Sequence, residues 1–134
     1  IANAMPGTCA CWKCDEREVP DFDVFCRYNA TYPYYADAIW YLTQMRRWGQ
    51  IAEPKSDDWY IDTAKSVYRA DLYAVAAKAL IADGIMDASE FPDFETESGF
   101  KPEQTEFLDV VSYDGSKPNE YLRKLIICLK DDVL

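Results

Sequence analysis

Cys9, Cys11 and Cys14, in the run Cys9-Ala10-Cys11-Trp12-Lys13-Cys14, are the residues whose type and spacing point most directly to chemistry. Thiolates this close together can hold a soft metal ion. The Cys11 to Cys14 spacing is also that of a redox dithiol, and Lys13 would lower a thiolate pKa there. Zinc asks for four ligands in closed tetrahedral geometry. The chain has no histidine, so a fourth ligand would have to be Cys26, or else Asp15 or Glu16. A dithiol of the thioredoxin type follows a strand and opens a helix, whereas this cluster lies in a short polar N-terminal stretch. Three readings therefore stand: a metal site, a dithiol switch and a structural cysteine-rich arm. The third asks least of the residues, and no metal or cofactor is assigned. Cys128, inside Leu125-Ile126-Ile127-Cys128-Leu129, reads as a small buried apolar residue. With 5 cysteines, at least one stays unpaired within a monomer.

The remaining chemical candidates are weaker. Without histidine there is no Ser-His, Cys-His or His-metal chemistry. Carboxylates pair up at Asp57-Asp58, at Glu95 and Glu97, and at Asp131-Asp132. Glycosidase-like catalysis needs two carboxyls across a cleft with one pKa raised by burial, and these positions read as loops or first helical turns. The stretch from Asp83 to Glu95 lacks the ligand order of a calcium-binding EF-hand loop. No P-loop and no dinucleotide-binding glycine motif occurs. Trp40, Arg46, Arg47, Trp48 and Trp59 are the residue types that dominate binding hot spots. Core rings with surface arginines are the simpler reading of the same five. These patterns indicate a domain that is not an enzyme, and they assign no catalytic or ligand-binding residue.

The elements that would position such residues must be built within 134 residues, 49% of them apolar, 15% aromatic and 28% charged. That is one domain or a piece of one, and too apolar for a disordered tail. A net charge of −10 sets a field that repels polyanions, which argues against nucleic acid as a partner. The longest apolar runs, Leu125–Leu129 and Leu72–Ile81, fall far short of the roughly 20 residues that span a bilayer. Ile1 to Cys14 carries no secretory-signal pattern, and the residues ahead of Met5 are set aside.

Along the chain, residues 1–20 read as an irregular cysteine-rich arm ending in Val19-Pro20. Residues 21–134 read as a helical domain. Asp21 to Tyr35 carries Phe22, Phe25, Tyr28, Tyr32, Tyr34 and Tyr35, and Pro33 keeps Tyr32 out of the helical region, so this stretch is expected to be extended. Ile39, Leu42 and Met45 mark one face of a helix over Ala36–Trp48, with Gly49 as its C-cap and Arg46 and Arg47 complementing its dipole. Ser56 caps a second helix, with Asp57 and Asp58 in its first turn and Tyr60, Ala64, Val67 and Tyr68 on its inner face. Leu72, Val75, Ala76, Ala79 and Leu80 repeat at the helical period and predict a third helix, ended by Gly84. One helical turn is expected near Ser89–Pro92, a loop over Asp93–Glu106 and a strand over Phe107–Tyr113. A short helix is expected over Asn119–Lys124, then a closing strand over Leu125–Leu129. The fold class is thus mainly α, a three-helix core with a short C-terminal β element.

Three stretches are more specific than their periodicity. Asp21-Phe22-Asp23-Val24-Phe25, then Arg27 to Tyr34, then Ala38-Ile39-Trp40-Tyr41-Leu42-Thr43-Gln44-Met45-Arg46-Arg47-Trp48-Gly49 form the first. Val67-Tyr68-Arg69-Ala70-Asp71-Leu72-Tyr73 with Ala76-Ala77-Lys78 is the second, and Tyr113-Asp114-Gly115 with Lys117-Pro118-Asn119-Glu120-Tyr121-Leu122 the third. Together they resemble the C-terminal region of the substrate-binding proteins of nitrate and bicarbonate ABC importers, from about residue 21 to about residue 130. The cysteine arm has no counterpart in the resemblance. The resemblance implies the C-terminal segment of a two-lobed α/β periplasmic-binding-protein fold, with the anion pocket built mainly by residues upstream of the matching region. It implies a non-catalytic part of oxyanion transport or sensing, whose partners are an ABC permease or the remainder of a binding protein. The location implied is periplasmic or on the outer face of the membrane, or cytoplasmic if the segment works with an importer ATPase. Trp40 and Trp48 would be packing residues of a helical cap. A free-standing helical adaptor, with a metal or a redox-active cysteine arm, is the alternative. An aromatic face left uncovered would favour self-association.

Overall fold

The computed structural model describes residues 8–11, 14–18, 29–105, 107 and 110–128. The expected extended stretch before Asn29 lies outside them, as do Cys26 and the Asp131-Asp132 pair. Where the sequence suggests an irregular arm, the backbone forms an antiparallel hairpin of β1 (Thr8–Cys11) and β2 (Cys14–Glu18). Cys11 is opposite Cys14 and Cys9 opposite Arg17, with an irregularity between Cys9 and Cys11.

The helical part begins with α1 (Tyr35–Arg47) and α2 (Asp57–Val67), close to their expected bounds. Gly49, at φ +74°, ends α1, and its N–H donates to the Arg46 carbonyl at 3.2 Å. Arg46 then turns back on the following loop, donating to the carbonyls of Ile51 and Ala52 at 3.1 and 2.8 Å. Ser56 caps α2 as its sequence position suggests, its hydroxyl accepting from the Trp59 N–H at 3.2 Å. Helix α3 (Ala70–Ala82) ends at Gly84, and a 3-10 turn over Ala88–Glu90 is fixed by a capping box between Asp87 and Glu90. Helix α4 (Pro118–Arg123) opens with proline, whose missing N–H has no partner to lose in the first turn.

The core is built by α1, α2 and α4. Ala38, Ile39, Tyr60, Ala64 and Leu122 are buried together, with Leu42, Trp59 and Tyr68 packed on them. Next to them Ala36, Tyr113 and Tyr121 form a second buried group. The Tyr113 hydroxyl donates to the Ala36 carbonyl, and its ring meets Tyr121 edge-on at 5.0 Å. Gly115 is buried against Ala36 so closely that a Cβ there would lie 2.8 Å from the Ala36 Cβ. Fully burying residues of this size contributes about 1.5–3 kcal/mol each before chain entropy is counted.

Two expectations are corrected. The third helix does not complete the core: Leu72 and Val75 of α3 remain 57% and 69% exposed, and Ala76 and Ala79 are exposed beside them. Its inward face is instead Ala70 and Ala77, and Tyr73 enters an aromatic group with Tyr32, Phe91 and Phe94. Leu72, Val75, Ala76 and Ala79 carry the expected period on a helix that is apolar almost all round, so the period alone selects no face. The C-terminal β element also shrinks. Within Phe107–Tyr113 the β pairing seen is an isolated antiparallel bridge of Tyr113 to Gln104, with both N–H···O distances at 2.8 Å. Leu125–Cys128 is irregular. β-branched composition favours an extended chain, but a strand also needs a neighbouring strand to pair with.

Candidate functional site

Most of the sequence candidates turn out to be committed to structure. Trp40 stacks parallel to Phe107 at 6.1 Å, and Trp59 meets Tyr60 edge-on at 5.2 Å. Trp48 is 60% exposed, with the Arg47 guanidinium 5.1 Å over its ring. It is therefore not a packing residue within the described body, contrary to what the family resemblance suggested. Arg46 and Arg47 are half-buried rather than surface groups. Cys128 is a half-buried free thiol whose N–H donates to the Arg47 carbonyl at 2.6 Å. Cys9, Cys11 and Cys14 are brought to one hairpin, while Cys26 lies outside the described residues. Among the described residues, no three histidine, cysteine or acidic side chains are grouped to hold a metal.

The carboxylates divide in the same way. Glu95 is exposed, 3.7 Å from Lys78, and Glu97 accepts the Gly99 N–H at 2.9 Å. Asp71 is paired with Arg69 through two hydrogen bonds of 2.7 and 2.8 Å. The Arg69 guanidinium holds its carboxyl down at about 2. Asp114 is held below the usual range mainly by the Ser116 hydroxyl. In Asp71 and Asp114 the shift is downward, the opposite of the burial-raised carboxyl that an acid catalyst would need.

One junction was not legible in the sequence. Asp57, which reads as a first-turn acid of α2, accepts the backbone N–H of Asn119 at 2.9 Å and its side-chain amide at 2.7 Å. The same amide reaches the Lys55 carbonyl at 3.0 Å. This clamp joins the starts of α2 and α4 across 62 residues of sequence, a separation that no local pattern reports. Tyr60 lies one turn into α2, fully buried, and its hydroxyl has no hydrogen-bond partner. Burial pushes its pKa up, opposed by the charge of Arg46.

The described residues thus define a small helical packing unit and a helix, α3, with an exposed apolar face. Comparison with known proteins gives its relatives. The chain is 40% identical over 100 residues to the nitrate/nitrite binding protein NrtA of Nostoc sp. (strain PCC 7120), which covers 74% of this chain and 20% of that protein. It is 34% identical over 111 residues to NrtA of Synechococcus elongatus, covering 81% and 22%. Nitrate import ATP-binding protein NrtC of the same species matches at 32% over 106 residues, covering 79% of this chain and 14% of that protein. No protein-family model and no solved structure matches. These homologues relate the matched part of the chain to the nitrate transporter binding-protein family. It spans about a fifth of the length of its NrtA relatives.

The family resemblance rests on residues that build the packing unit. Ile39, Tyr121 and Leu122 are its core, Tyr113 and Gly115 seat α1, and Asn119 clamps α2 to α4. The match to NrtC, an importer ATP-binding protein by name, shows homologous sequence in two kinds of transport subunit.

Proposed function

We propose that the chain is a non-catalytic part of nitrate/nitrite ABC transport, contributing structure and docking to a substrate-binding component rather than its anion pocket. The observation that carries this reading is homology to NrtA over about three quarters of the chain. Residues 21–134 are the helical domain, corresponding to the C-terminal segment of a two-lobed binding protein, and residues 1–20 are a separate arm. The partner is an ABC permease or the remainder of a binding protein, at the periplasmic side of the membrane. No helix among the described residues is long and apolar enough to cross a bilayer. The face carrying Leu72 and Val75 supports a docking role, because an apolar helix face of this kind is normally covered. Without its partner, that face favours self-association.

Uptake of 15N-nitrate by cells lacking the gene tests the reading. Uptake falls on deletion and returns with the wild-type chain, while Leu72→Asp with Val75→Asp fails to restore it although the protein accumulates. Unchanged uptake on deletion overturns the proposal. Calorimetry of the isolated chain should show no micromolar affinity for nitrate or bicarbonate, and such affinity would refute the assignment of the pocket to other residues.

A further inference from the structure

The clamp between α2 and α4 forms one wall of a cavity of about 390 Å³ that also takes in Arg46, Lys55, Arg123 and Tyr60. In a chain of net charge −10 this concentration of cations is anomalous. Asp57 is the acidic group among the lining residues, and one of its oxygens already accepts both hydrogen bonds from Asn119. Among the described residues, none of Arg46, Lys55 and Arg123 lies in an ion pair. Arg46 is held in place by its bonds to the Ile51 and Ala52 carbonyls, which cancel none of its charge. Tyr60 also lines the cavity, and its hydroxyl is buried with no partner and feels the charges of Arg46 and Asp57. A buried hydroxyl without a partner is disfavoured unless something else satisfies it.

The lining also includes the apolar side chains Leu122, Leu125 and Ile127. The volume falls within the roughly 300–1,000 Å³ of small-molecule sites, far more than a bare inorganic oxyanion fills. We propose that this cavity binds a small organic carboxylate with a short aliphatic chain. The carboxylate sits among Arg46, Lys55 and Arg123 and accepts the Tyr60 hydroxyl proton in a hydrogen bond. The alkyl part lies on Leu122, Leu125 and Ile127. Charge-assisted bonds fix the head, and removal of apolar surface from water holds the tail. The site is independent of the transport reading, since it uses neither the α3 face nor a nitrate pocket.

Titration of the full chain with hexanoate, followed by calorimetry and by amide NMR shifts, tests the proposal, with nitrate and neutral hexanol as comparison probes. Hexanoate should bind and shift the amides of Leu122 and Ile127, with nitrate and hexanol at least about tenfold weaker. Lys55→Gln with Arg123→Gln should weaken hexanoate about tenfold, and Tyr60→Phe about threefold, with thermal melts showing each variant folded. Absence of hexanoate binding up to about 10 mM, nitrate binding of equal strength, or full affinity in both folded variants overturns it.

Discussion

The unit of α1, α2 and α4 and the helix α3 are made of similarly apolar sequence but are used in opposite ways. In the first, each helix spends its apolar stripe on a neighbour: Ile39, Tyr60 and Leu122 meet in one buried group. In the second, only Ala70 and Ala77 are buried, and Leu72 and Val75 face outward. The first region is held by long-range clamps, Asp57 to Asn119 and Tyr113 to Ala36. The second is tied by aromatic edges through Tyr73 and by local pairs such as Arg69 with Asp71. One region is complete as it stands, and the other carries a surface whose composition suits burial. Stability should therefore depend on the first far more than on the second.

The largest test of that contrast removes volume from each. Ile39→Ala, at a fully buried position, should cost about 2–5 kcal/mol in urea unfolding. Leu72→Ala in the isolated chain should change stability by no more than about 0.5 kcal/mol. An equal loss at Leu72 would mean that its face is already covered and would erase the difference between the regions.

Next come the clamps. Asn119→Ala removes two hydrogen bonds to the Asp57 carboxylate and should cost about 1.5–3 kcal/mol. A double-mutant cycle with Asp57→Ala should show that the two losses are not additive. Additive losses would mean that the clamp contributes little to holding α4 on α2. Gly115→Ala should follow at about 1–3 kcal/mol, because the added Cβ would lie 2.9 Å from the Ala36 Cα and the helix backbone must move to admit it.

The same contrast explains what could be read from the chain. Caps and periods are local, so α1, α2, α3 and α4 were placed within a few residues by Ser56, Gly49, Gly84 and Pro118. Burial on α3 is a tertiary fact. Its sequence offers Leu72, Val75, Ala76 and Ala79 on one side and Tyr73, Ala74 and Ala77 on the other, and only the position of Phe91 and Phe94 decides between them. The strands expected at Phe107–Tyr113 and Leu125–Leu129 failed for a related reason: β-branched composition favours extension but supplies no partner. The hairpin at Thr8–Glu18 was missed because charge and cysteine obscured any alternation. Of the cavity beside α2, the sequence disclosed Arg46 and Asp57 as helix-end charges. Their convergence with Arg123 and the unpartnered Tyr60 hydroxyl depends on contacts across the whole described body.

The smallest effect belongs to the start of α3. Asp71 has its pKa lowered from the ordinary 3.8 to about 2, chiefly by hydrogen bonding to Arg69 and then by backbone N–H groups at the helix start. A depressed carboxyl pKa gives stabilisation that is complete above the unfolded-state value and is lost as pH falls toward the folded one. The Arg69–Asp71 pair should therefore be intact at neutral pH and release between about pH 4 and pH 2. Because both side chains are solvent-exposed, the release should fray the first turn of α3 without melting α1, α2 and α4. Carboxyl carbon NMR should give an Asp71 midpoint near 2 in the wild-type chain and one closer to 3.8 in Arg69→Gln. Amide signals of Ile39 and Tyr60 should stay unmoved through the same titration. Simultaneous loss of those core signals would show that α3 and the packing unit unfold together, and the molecule would then be one cooperative body instead of a closed unit carrying a helix still open to a partner.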